Sequence, residues 1–100
     1  MRHLSVIEKA DIVVVDGRAD EFADVLAKAL PLLQSADGCI RASAARGVEN
    51  PGTYLLLVEW TSVAAHTSFT RTAAFGEFVG QVKEYFAAPP GALHYAPLDA

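Results

Sequence analysis

The chain has 100 residues, of which 52% are hydrophobic and 20% charged, with a formal net charge of −4. This length holds one domain, and so apolar a composition excludes intrinsic disorder. The eight basic residues stand singly among twelve acidic ones, so no positive stripe exists for nucleic acid to bind.

Ile12 to Val15 is β-branched throughout and stops at Asp16-Gly17. It reads as a strand that begins near Ile7. The next segment sets Phe22, Val25, Leu26, Ala29, Leu32 and Leu33 on one helical face. Asp20 and Glu21 occupy its first turn, where the helix dipole favours carboxylates. Pro31 lies late in this helix, and its missing N–H predicts a kink or a frayed last turn.

After Asp37-Gly38, Cys39 to Ala45 is a weak strand short of bulky residues. Cys39 is the only cysteine, so neither an internal disulfide nor a cysteine-based zinc site is available. Pro51-Gly52 after Asn50 suits a type II turn and hence a hairpin. The second arm, Tyr54 to Thr61, is the strongest strand. Ser62 can cap a short helix through Phe69, and Thr72 a second that aligns Phe75, Phe78, Val79, Val82 and Phe86. Pro89-Pro90-Gly91 stops it. Leu93 to Leu98 is the last strand, with Pro97 marking its edge or end.

The order is β-α-β-β-α-β, with the second helical region split. This is the ferredoxin-like α+β arrangement, an antiparallel sheet with helices on one face. A sheet with one wet face should alternate apolar and polar residues. Val13-Val14-Val15 and Leu55-Leu56-Leu57-Val58 do not. Two helices cover only one face, so a second copy of the chain is expected on the other, making a homodimer. With no signal-peptide-length or membrane-length apolar run, a soluble cytoplasmic protein without membrane contact is expected.

The candidate chemistry lies around the strongest strand. His66 on the short helix titrates near neutral pH and suits a general base, although a partly buried histidine of purely structural role has the same sequence. His94 and Tyr95 alternate on the last strand, so one faces the helices and the other the partner. Trp60 shares a strand face with Tyr54, and both rings can hold an aromatic substrate or simply fill a core. Phe69 and Phe78 are core residues at helical spacing that can also line a pocket. Glu59 points away from Trp60 and is best paired with Arg41. No nucleotide fingerprint, phosphate loop or metal-ligand spacing is present.

The run Leu55-Leu56-Leu57-Val58-Glu59-Trp60-Thr61-Ser62-Val63-Ala64-Ala65-His66, preceded by Asp37-Gly38-Cys39 and followed by Phe75, Phe78 and His94-Tyr95, resembles the antibiotic biosynthesis monooxygenase domain of the dimeric α+β barrel superfamily. The likeness spans Ile12 to Leu98. It implies a homodimer acting on a small aromatic, quinol-like substrate with O2 and no cofactor. His66 would be the base, His94 a second proton carrier or donor, and Trp60, Tyr54, Phe69 and Phe78 the pocket walls. The haem-degrading branch of the superfamily uses an Asn, a Trp and a haem-ligating His. Those positions hold Ala10, Phe69 and Val79 here, and valine cannot ligate iron. A non-catalytic ligand-binding or stress-associated dimer, and an isomerase using the same base without O2, are the alternative readings.

Overall fold

The computed structural model describes residues 5–98. The elements are β1 (Val6–Val13), α1 (Ala19–Gln34), β2 (Cys39–Arg46), β3 (Thr53–Trp60), α2 (Val63–Phe69), α3 (Ala73–Val82), a 3-10 turn (Lys83–Tyr85) and β4 (Ala92–Tyr95). The four strands form one antiparallel sheet in the order β2-β3-β1-β4, the ferredoxin-like α+β fold expected from the element order.

Burial along β3 alternates strictly. Tyr54, Leu56, Val58 and Trp60 are buried, while Thr53, Leu55, Leu57 and Glu59 are half-exposed. The pairing register puts Glu8, Ala10 and Ile12 of β1 on the buried side, opposite Val58, Leu56 and Tyr54. α1 contributes Phe22, Leu26, Ala29 and Leu33 to the same core, and α3 contributes Phe78 and Val82. The helices cover this face, with α1 packed against α3 and β2.

Four local expectations are corrected. Pro31 does not fray the end of α1: the helix runs on to Gln34, and the Ser35 N–H still reaches the Pro31 carbonyl at 3.0 Å. The 50–53 turn is closed by the Thr53 N–H on the Asn50 carbonyl, but Gly52 has no positive φ, so the turn is not type II. The Asn50 side-chain oxygen accepts the Gly52 N–H at 3.3 Å. An asparagine at the first turn position favours the type I peptide orientation in this way.

Phe86 does not extend the apolar face of α3. The chain leaves the helix through the 3-10 turn, and Phe86 bridges Val14 on an extension of β1, flanked by the Ala87 N–H on the Val13 carbonyl. Arg18 pairs with Glu21 and Glu84 and lies over the Tyr85 ring, fastening this turn to the start of α1. The last strand stops at Tyr95 rather than Leu98, two residues before Pro97, which has no N–H to offer a neighbour.

Candidate functional site

The site is assembled where α2 crosses the end of the sheet. The Ser62 Oγ accepts the Ala65 N–H at 3.0 Å and caps α2, satisfying one of the free amides of a helix start. His66 and Phe69, one turn apart on α2, both meet Trp60 at the end of β3. The His66 ring stacks on the fully buried indole at 5.1 Å and 13°, and Phe69 lies against it at 5.5 Å.

The third contributor is Glu8, which the sequence candidates omit. The residue sits on the helix-covered face of β1 and is only 7% exposed. Trp60 donates its Nε1–H to Glu8 Oε1 at 2.9 Å, and His66 Nε2 lies 3.3 Å from the same oxygen. The signal available for Glu8 was its phase. It falls two and four residues before Ala10 and Ile12, on the buried side of a period-two strand.

His94 is the fourth. It stands directly opposite Glu8 in the β1–β4 register, and its Nε2 is 2.8 Å from His66 Nδ1. Tyr95 therefore takes the open face, where it is 47% exposed. The three groups make a line, Glu8 to His66 to His94, rather than a cage.

Burial pushes the His66 pKa below its ordinary 6.5, against the opposing pull of the Glu8 carboxylate and with the help of His94. The imidazole is thus neutral at neutral pH and carries one N–H. The Glu8 oxygen 3.3 Å from Nε2 favours the proton on that nitrogen, an arrangement in which Nδ1 accepts the Nε2–H of His94.

The remaining candidates lie elsewhere. Tyr54 is six residues up β3 from Trp60, about 20 Å away at strand rise. Its hydroxyl donates to the Ala19 carbonyl at 2.7 Å, and its ring meets Phe22 edge-on at 5.0 Å. Phe78 is buried in the α3 core. Glu59 is bound on the opposite sheet face by Arg41, whose Nε and Nη2 both reach Oε1 at 3.0 Å, and by Ser5. Cys39 pairs with Trp60 across the β2–β3 ladder, and burial, with Glu8 adding, pushes its thiol pKa up, away from the reactive thiolate.

A concavity of about 870 Å³ opens between α1, α2 and α3. Leu32, Ala36, Ala65 and Phe69 supply apolar lining, and Lys28 and Glu77 supply charge. His66, His94 and Trp60 do not line it. Phe69 is the shared wall, with one side on the groove and its ring against Trp60.

Among known proteins, the family model of the antibiotic biosynthesis monooxygenases matches residues 5–81. The chain is 29% identical over 91 residues to the uncharacterized Bacillus subtilis protein YczJ, covering 90% of this chain and 96% of that one. It is similar to a crystal structure of a candidate antibiotic biosynthesis monooxygenase from Bordetella bronchiseptica, with 35% identity, a TM-score of 0.89, and coverage of 95% and 98% of the two chains. A conserved Methanosarcina mazei protein shares the fold at a TM-score of 0.81 and 20% identity, with 93% and 92% covered.

Proposed function

The chain belongs to the antibiotic biosynthesis monooxygenase family, and from that premise we propose that it oxygenates a small electron-rich phenol of quinol-like character with O2 and no cofactor. The observation that carries this reading is the 2.8 Å contact between His66 and His94, backed by a buried carboxylate and walled by Trp60 and Phe69. A base is the one group such a reaction requires of the protein. A deprotonated electron-rich phenol passes electrons to O2 directly. The phenol O–H and the para C–H are lost, one oxygen atom becomes the second carbonyl of a quinone, and the other leaves as water. No external reductant enters the balance.

The His66–His94 pair can take up the proton with the Glu8 carboxylate close by to compensate the charge. The proposed working unit is a homodimer, with the second copy on the sheet face that no helix covers.

The test is oxygen uptake with a panel of phenols and hydroquinones. Disabling general-base catalysis costs on the order of 100-fold or more, so breaking the imidazole pair with His66→Ala should lower turnover by about that factor. Turnover unchanged in this variant would remove His66 from the mechanism. Turnover that persists without oxygen would reassign the same base to an isomerase.

A further inference from the structure

We propose that Glu8, His66 and His94 form a directed proton relay in which His94 Nδ1, not His66, takes the proton from the substrate. Glu8 is the positioning residue that sets the direction. The inference rests on the reading of this site as a base, and it assigns the roles within it.

The argument is one of lone pairs. A neutral imidazole offers one donor and one acceptor. His66 uses both inside the protein, Nε2 toward Glu8 and Nδ1 toward His94. It has no lone pair left for a substrate. His94 uses only Nε2, as donor to His66, and its Nδ1 has no hydrogen-bond partner among the described residues. Exposure runs the same way. The Glu8 and His66 side chains are 9% and 14% exposed, whereas His94 is open to solvent. The buried end of the line is anionic and the accessible end is a free acceptor.

Glu8 Oε1 accepts the Trp60 Nε1–H at 2.9 Å, and the same oxygen faces His66 Nε2 at 3.3 Å, where its charge favours a proton on that nitrogen. With the His66 proton fixed on Nε2, Nδ1 must accept, and His94 must carry its own proton on Nε2. Its Nδ1 is thereby left bare. When a substrate O–H bond breaks, the new N–H bond forms at His94 Nδ1. The resulting imidazolium donates its Nε2–H to His66, which the Glu8 carboxylate polarises. The groups facing His66 are Glu8 on β1, His94 on β4 and, beyond Trp60, Cys39 on β2. α2 carries no other ionisable residue.

Two measurements test this, one of them independent of turnover. Long-range proton–nitrogen NMR of the intact protein reads each imidazole tautomer. In the wild type both His66 and His94 should carry their proton on Nε2. In Glu8→Gln, which keeps the shape and removes the charge, His66 should become a mixture of tautomers. Its turnover should fall about tenfold or more at unchanged KM, since Glu8 does not touch substrate. A wild-type His66 protonated on Nδ1, or a Glu8→Gln tautomer identical to the wild type, overturns the relay.

The second arm is rescue by free imidazole in solution. His94→Gly should recover at least tenfold in turnover, because the missing ring is at the exposed end. His66→Gly should not. Recovery of His66→Gly alone would make His66 the substrate's base and refute the assignment. Absence of oxygen uptake by the wild type with every phenol would sink the proposed reaction, while the tautomers would still decide the relay.

Discussion

Trp60 holds three partners at once: the stacked His66 ring, the Phe69 ring and, through its N–H, the Glu8 carboxylate. Trp60→Phe keeps an aromatic ring and deletes the donor. A hydrogen bond to a charged group contributes roughly 1.5–3 kcal/mol, and its loss should appear as a lower urea midpoint of about that worth. His66 adds a pH dependence. In the unfolded chain it titrates at its ordinary 6.5, and in the fold it titrates lower because burial disfavours the charged ring. Between those two values the unfolded state holds the extra proton, so stability falls as the pH drops below 6.5 and is complete above it. Urea midpoints at about pH 7.5 and about pH 5.5 should differ in that direction, and His66→Gln should flatten the difference. The histidines and the tryptophan were legible in the sequence because their side chains bear chemistry wherever they stand. Glu8 was not, because a lone glutamate in a short strand looks like a solvated charge until the strand's phase is fixed by its partners.

At the scale of elements, the placement of α2 depends on a glycine. Gly38 adopts φ +82°, and a Cβ there would come within 2.6 Å of the Ala65 Cβ and 3.0 Å of the Thr61 Oγ1. The start of β2 and the first turn of α2 pack this closely only because Gly38 has no side chain. Gly38→Ala would add a left-handed alanine, at about 1–2 kcal/mol, and an overpacked contact, at about 1–3 kcal/mol. It should destabilise the fold and push His66 off Trp60. Adding Ala65→Gly relieves the contact but not the backbone strain. A double-mutant cycle on urea stability should therefore show a favourable coupling of about 1 kcal/mol. The element order was readable because Gly and Pro clusters punctuate each apolar run. The details that escaped depend on groups outside the local pattern. The Asn50 side chain chose the turn type, and backbone pairing with β1 drew Phe86 out of its helical period.

For the whole molecule, the question is what covers the second face of the sheet. The run Leu55 to Val58 signalled two apolar faces, and the fold resolves it. Leu56 and Val58 point under the helices, while Leu55 and Leu57 lie half-exposed on a face shared with Val13, Leu93 and Tyr95, which are 50%, 63% and 47% exposed. Burying such rows against a second copy supplies a hydrophobic gain that the single chain leaves unused. Sedimentation velocity at micromolar concentration should give twice the 10.6 kDa chain mass, and a monomer there would refute the proposed dimer. Leu57→Lys is the sharper probe. Leu57 lies opposite Lys9 in the β1–β3 register, so the variant places two like charges side by side at the centre of the proposed interface. It should sediment as a monomer, with a melting temperature that no longer rises with concentration. Glu8, His66 and His94 lie on the other side of the same sheet, within one chain. Their tautomers should be the same in this monomer as in the wild type, which separates the assembly of the molecule from the wiring of its proton relay.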